Sequence, residues 1–138
     1  MRIMAIDYGD AHTGIAISDP TGFLAGFTTT INAYRPEVVA EQIAALAKEH
    51  GVEELVLGHP INMDGTRGPR SEKAQAMKAL LEETTSLPVV LWDERRTTID
   101  AHQILMNSGK NAKKRKKVVD AVAATLILEG YLTYKKSH

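Results

Sequence analysis

The sequence predicts an α/β fold in which a three-stranded antiparallel meander leads into alternating helices and strands. Three observations carry this expectation. Short apolar runs separated by turn residues fill the first 32 positions, helical spacing begins only after Tyr34, and helix and strand patterns alternate from there onward. The chain has 138 residues and no internal repeat, so one domain spanning 1–138 is expected. It is large enough to bury a core and too small for two lobes that close on a ligand.

Ile3-Met4-Ala5-Ile6 is apolar at successive positions, the pattern of a central strand buried on both faces. Asp7 ends that run. A carboxylate at the tip of a buried strand is costly unless a cation or a hydrogen-bond donor meets it, although aspartate also begins turns. Gly9 and Gly14 bracket Asp10-Ala11-His12-Thr13, which predicts a turn, and Ile15-Ala16-Ile17 returns as an antiparallel strand. Leu24 to Asn32 is rich in strand formers and makes the third strand.

Pro36 suits the first turn of a helix, and Val39, Ile43, Leu46 and Ala47 recur at helical spacing until Gly51 stops it. Glu54 to Gly58 reads as a short buried strand. His59 to Pro69 is the longest stretch of turn chemistry and predicts a mobile loop over one sheet end. Ser71 to Glu83 carries Ala74, Met77, Leu80 and Leu81 on one side of a second helix, and Pro88 to Asp93 is the next strand. Thr97 or Thr98 caps a third helix with Ile99, Ile104 and Leu105, ending at Gly109. Lys110 to Lys117 is basic, and Val118 to Tyr134 is a long final helix.

Composition narrows the chemistry. The absence of cysteine excludes a disulfide scaffold, thiolate zinc sites and a cysteine nucleophile, and suits a reducing cytosol. Arg2 and Asp7 interrupt the N-terminal apolar segment and no run approaches a membrane span, so a soluble cytoplasmic protein is expected. Seventeen basic and seventeen acidic residues cancel overall, yet residues 1–108 carry nine basic and fifteen acidic, and residues 109–138 carry eight and two. That asymmetry, −6 against +6, marks a polyanion-binding end.

Three acids sit where propensity and burial disfavour them. Asp7 ends the first strand, Glu94 follows the buried run Val89 to Trp92, and Asp120 lies among Val118, Val119, Ala121 and Val122 in the last helix. Ligands of open α/β sheets gather at the carboxyl ends of strands. Ala123 and Ala124 share a helix face with Asp120, so that face can approach the sheet closely; the plainer alternative is an exposed acid paired with Lys116 or Lys117. Three converging carboxylates repel one another, and Mg²⁺ or Mn²⁺ would relieve this while supporting phosphodiester hydrolysis.

Lys110, Lys113, Lys114, Arg115, Lys116 and Lys117 supply cations beside Asp120, as a nucleic-acid backbone requires. Arg67 and Arg70 in the long loop, and Arg95 and Arg96 beside Glu94, add contacts or orient the carboxylates. Aromatic content is 5% without an interleaved stacking pattern, favouring shape and backbone recognition over a single-strand stacking platform. Gly9 to Gly14 has P-loop glycine spacing, but Ile15-Ala16 stands where lysine and a hydroxyl residue are required. No Gly-x-Ser-x-Gly elbow and no His-Glu-x-x-His helix is present. His12, His50, His59 and His102 lack metal-ligand spacing; His12, in the hairpin turn, is the exception that can reach a phosphate.

Four segments carry a family resemblance: Asp7-x-Gly9-x-x-x-x-Gly14-x-Ala16 with Ser18-Asp19; Met63-Asp64-Gly65-Thr66; Asp93-Glu94-Arg95 with Thr97-Thr98; and Asp120-x-x-Ala123-Ala124 with Ile127-Leu128 and Tyr131-Leu132. Jointly and in this order, over the whole chain, they resemble the YqgF (RuvX) family of pre-16S rRNA nucleases, related to RuvC resolvases. The resemblance implies a ribonuclease H-like fold with a mixed five-stranded sheet flanked by helices, and Asp7, Glu94 and Asp120 as the acidic triad. It also implies processing of the 5′ end of the small-subunit rRNA precursor. His12 stands where the family often has arginine, and His59 where it commonly has leucine.

A metal-dependent nuclease acting on structured pre-rRNA, as a monomer or weak homodimer, is therefore the first expectation. A junction resolvase acting on branched DNA, with two sites related by a dyad, is the second. An rRNA-binding assembly factor that does not cut is a third. An actin-like phosphotransferase is disfavoured, because the chain lacks a second lobe.

Overall fold

The computed structural model describes residues 1–20, 25–59, 68–93 and 112–137, with backbone alone for residues 69, 70, 112–121, 136 and 137. Among the described residues there are five strands: β1 (Arg2–Asp7), β2 (His12–Ser18), β3 (Ala25–Asn32), β4 (Val52–His59) and β5 (Val89–Asp93). Three helices accompany them, α1 (Pro36–His50), α2 (Pro69–Thr85) and α3 (Ala112–Ser137). The strands form one mixed sheet in the order β3-β2-β1-β4-β5. β2 is antiparallel to both β1 and β3, whereas β1, β4 and β5 are mutually parallel. This is the expected α/β architecture of an antiparallel meander followed by parallel strands.

The two faces of β1 are buried by different helices, which accounts for its unbroken apolar run. Met4 and Ile6 face a core shared with Val39 and Ile43 of α1 and Met77 and Leu81 of α2. Ile3 and Ala5 face the other core, built with Ala16, Val56 and Ala124, Ile127, Leu128 and Leu132 of α3. Each fully buried large aliphatic side chain stabilises the fold by about 1.5–3 kcal/mol. Alanine at positions 5, 16 and 124, each fully buried, lets α3 lie close to the central strands.

Helix boundaries follow local chemistry. Pro36 and Pro69 begin α1 and α2, where a missing N–H costs nothing. Gly51 ends α1 in the left-handed region at φ 66°, its N–H directed to the Ala47 and Lys48 carbonyls. Ser86 ends α2 at φ 59°, and its N–H donates to the Glu82 carbonyl at 3.0 Å.

Three expectations need correction. β2 begins at His12 rather than Ile15, because His12 and Thr13 already pair with Asn32 and Ile31 of β3, so His12 belongs to a strand and not to the turn. His59 is the last, buried residue of β4 rather than the start of a loop, and Pro69 opens α2; residues 60–67 between them lie outside the described residues. α3 begins at Ala112, so Lys113 to Lys117 form its first turns instead of preceding it. Lysine and arginine are good helix formers, and no turn residue separates them from Val118. The helix expected from Thr97 or Thr98 to Gly109 lies outside the described residues. Among the described residues, no helix is long and apolar enough to cross a membrane.

Candidate active site at the carboxyl ends of the parallel strands

Parallel pairing of β1, β4 and β5 brings their carboxyl ends to one edge of the sheet. Asp7 ends β1, His59 ends β4 and Asp93 ends β5; His59 and Asp93 are directly in register, and Ile6 is opposite Leu57. Strand alternation puts Asp7 on the same face as Ile3 and Ala5, the face that α3 covers. Asp7 is half-buried there and opposite Gly14 of β2. The turn that follows is tight. Gly9 N–H donates to the fully buried Thr13 Oγ1 at 3.5 Å, and a Cβ on Gly9 would collide with the His12 carbonyl oxygen.

The direction of α3 fixes which of its ends reaches this edge. Lys135 Nζ lies 3.3 Å from Glu54 Oε1, and Glu54 sits opposite Ile3 at the amino ends of the strands. The helix therefore runs against β1, with its N-terminal turns toward the carboxyl edge. Asp120 is 15 positions before Lys135, about 22 Å of helix, whereas Ile3 to Asp7 spans about 13 Å of strand. The helix from Lys135 back to Asp120 is therefore more than long enough to span the strand from Ile3 to Asp7. Asp120 precedes the buried Ala123 and Ala124 by three and four positions.

The other expected site residues divide between this edge and the undescribed segments. Glu94 and Arg95 follow Asp93 and lie outside the described residues, as do Arg67, Arg96 and Lys110. Arg70 is the second residue of α2, whose first turn abuts the end of β4. Lys113, Lys114, Arg115, Lys116 and Lys117 are on the first turns of α3, at the same end of the molecule as Asp7. His12, at the start of β2, is also on this edge. Its Nδ1 lies 2.7 Å from Asn32 Oδ1.

Several features at or near the edge escaped sequence reasoning. Lys73 of α2 reaches across to Asp10 in the β1–β2 turn, Nζ to Oδ1 2.8 Å. Tyr8, between Asp7 and that turn, has its phenol pushed above the usual value by burial and then by Asp10, with Lys73 opposing and Glu37 adding. His59 Nε2 is 2.6 Å from Ser71 Oγ, and both residues are buried. Trp92, Tyr131 and Tyr134, distant in sequence, stack edge to face at centroid separations of 5.8 and 5.9 Å around Trp92. With Val90 and Asp93 they line a hollow of about 280 Å³ beside β5. The pairing of Lys73 with Asp10 joins residues 63 apart, which no local pattern announces.

Comparison with known proteins agrees with this architecture. The chain is 44% identical over 135 residues to a Halothermothrix orenii protein named "Putative pre-16S rRNA nuclease", covering 98% of this chain and 96% of the relative. It is 46% identical over 132 residues to a Clostridium botulinum protein of the same name, covering 96% of each. In three dimensions it is similar to Thermus thermophilus RuvC in complex with a Holliday junction substrate, with a TM-score of 0.64 at 13% identity over 99% of this chain and 96% of that one. The RuvX family model, described as Holliday junction resolvase, matches residues 1–134. A strand-end aspartate, a helix whose N-terminal turns run to the same edge of the sheet, and a family match over nearly the whole length converge on one assignment: the chain belongs to the RuvX family.

Proposed function

We propose that this chain is a metal-dependent nuclease that hydrolyses phosphodiester bonds, and that it processes the 5′ end of pre-16S rRNA in the cytoplasm as one nuclease domain. The observation that carries this reading is the placement of Asp7. It ends a buried parallel strand on the sheet face that α3 covers, at the edge toward which the N-terminal turns of α3 run. The names of the relatives supply the substrate class.

Asp7, Glu94 and Asp120 are the residues proposed to hold Mg²⁺ or Mn²⁺. Two carboxylates about 4 Å apart repel by roughly 4 kcal/mol at an effective dielectric near 20, and an all-carboxylate donor set suits a hard divalent cation. Held by these carboxylates, such an ion would supply Lewis-acid activation of water and charge stabilisation at the scissile phosphate. The chain's own residues do the rest. Arg70 and the basic turns of α3 bind the phosphate backbone, and Arg67, Arg95 and Lys110 are proposed as further nucleic-acid contacts. His12, oriented by Asn32, is a further candidate phosphate contact.

Cleavage of an RNA carrying the pre-16S 5′ leader, beside a four-way DNA junction, tests the reading with wild type and Asp7→Asn in Mg²⁺ or Mn²⁺. Metal-dependent cutting of the RNA, lowered more than about a hundredfold in Asp7→Asn, is expected, since even the partners of metal ligands are worth ten- to a hundredfold. Equal RNA binding by both proteins with no cutting by either would instead make the chain an assembly factor.

A second reading, junction resolution, is favoured by the family description and the likeness to RuvC. It requires two sites facing one junction, so preferential cutting of the DNA by a dimer would select it. The rRNA reading is compatible with a monomer or weak homodimer.

A further inference from the structure

We propose that Lys73 is a substrate-phosphate contact that Asp10 holds at the rim of the site until nucleic acid displaces it. The proposal rests on the nuclease reading above and adds to it a residue outside the acids and the basic helix.

Position is the first argument. Asp10 is three residues after Asp7, so its Cα lies within about 11 Å of the Asp7 Cα whatever the turn conformation. Lys73 bonds this residue at 2.8 Å and also influences Tyr8. A cation paired with Asp10 stands at the rim of the edge where Asp7 ends β1.

Anchorage is the second. Ser71, two positions earlier, is fully buried, bonded to His59 at 2.6 Å and approached by Gln75 Nε2 at 3.3 Å. The first turn of α2 is thereby tied to the end of β4, while Lys73, pointing away from Ser71, keeps a long stem and a solvated head. The base of the side chain is fixed by the helix, and its ammonium is at the solvent boundary beside Asp10.

Energetics is the third. The Lys73 and Asp10 side chains are 56% and 80% exposed. An ion pair so open to solvent contributes little to stability. A phosphate is a stronger competitor, because contact with it also releases counterions from the nucleic acid. Asp10 itself repels the same backbone. The pair thus holds the cation in place between encounters and opposes weak binders.

A strut and a reserved contact differ in the sign of one effect. RNA affinity is measured by fluorescence anisotropy with the pre-16S 5′ leader across a salt series, in the Asp7→Asn background. There, Lys73→Gln is expected to raise Kd about fivefold and to make the slope of log affinity against log salt shallower by about one. Lys73→Arg keeps both near the starting values, since guanidinium also binds phosphate. Asp10→Asn is expected to lower Kd, by about threefold, because it removes the competitor. Movement of Kd in the same direction by Lys73→Gln and Asp10→Asn, or an unchanged salt slope in Lys73→Gln, overturns the proposal. Undiminished cutting by Asp7→Asn would overturn the nuclease assignment instead, and the affinity series still reads out Lys73.

Discussion

His59 Nε2 and Ser71 Oγ lie 2.6 Å apart, joining the carboxyl end of β4 to the first turn of α2. Both residues are buried, so each polar group there relies on the other for part of its hydrogen bonding. Ser71→Ala is expected to cost about 1–3 kcal/mol, the penalty for a buried group deprived of its partner. Urea denaturation should show a lower midpoint with an unchanged slope. The double variant His59→Leu/Ser71→Ala should lose less than the sum of the two single changes, because removing both partners leaves no mismatch between them. Strict additivity would mean that the contact carries no coupling.

Gly9 is set by a different constraint, the closeness of the His12 carbonyl to the place a Cβ would occupy. That oxygen is backbone and cannot swing aside. Gly9→Ala therefore has to open the β1–β2 turn, with an expected cost of about 1–3 kcal/mol. The same shift would move Asp7, so nuclease activity should fall by more than thermal stability alone explains. An alanine variant that keeps full activity and its melting temperature would show that the turn yields easily.

Tyr131 links α3 to β4 through Glu54. Burial comes first, followed by the hydrogen bond to Glu54, that residue's charge and Tyr134, and together they push its phenol well above the usual value of 10.0. Tyr8 is displaced in the same direction. A tyrosine whose folded pKa exceeds its unfolded value binds its proton more tightly in the native state. Its contribution is complete below about pH 10 and is lost as pH rises toward the folded value. Stability to urea should therefore decline above pH 10, and Tyr131→Phe should make that decline shallower. At neutral pH the phenylalanine variant gives up the Glu54 hydrogen bond, about 1 kcal/mol.

What the sequence made legible was what local rules govern. Asp7 stood out because it breaks an unbroken apolar run, and the structure buries that run on both faces. Gly51 was recognisable as a stop because only glycine takes φ 66° without strain. Ala123 and Ala124 announced a close helix approach through spacing alone, and both are buried.

The features that were not legible depend on pairing between distant segments. His12 looked like a turn residue until β3 supplied Asn32 as its partner. Lys73 carried no signal at all, being one lysine on an exposed helix face until the turn at Asp10 is folded beside it. The aromatic group around Trp92 was hidden because its members come from β5 and α3, separated by about forty positions of chain. The same dependence explains why β4 was read two residues short at its amino end. Val52 follows Gly51 directly and becomes a strand residue only by lying beside Arg2.

The basic turns of α3 give the last prediction. Lys113, Lys114, Arg115, Lys116 and Lys117 are consecutive on a helix, so they ring its circumference rather than lining one face. Like charges at i, i+3 and i, i+4 and a positive helix N-terminus both disfavour this arrangement in the absence of an anion. The cluster therefore gains from phosphate wherever the backbone passes. Replacing Lys113, Lys114 and Arg115 by glutamine is expected to weaken RNA and DNA binding alike and to reduce the salt slope by up to about three. The same triple change should leave stability in low salt unchanged or raise it by a few tenths of a kcal/mol, because like-charge pairs are removed. A salt slope identical to wild type would place the nucleic acid away from α3, and a large drop in stability would assign these residues to the fold.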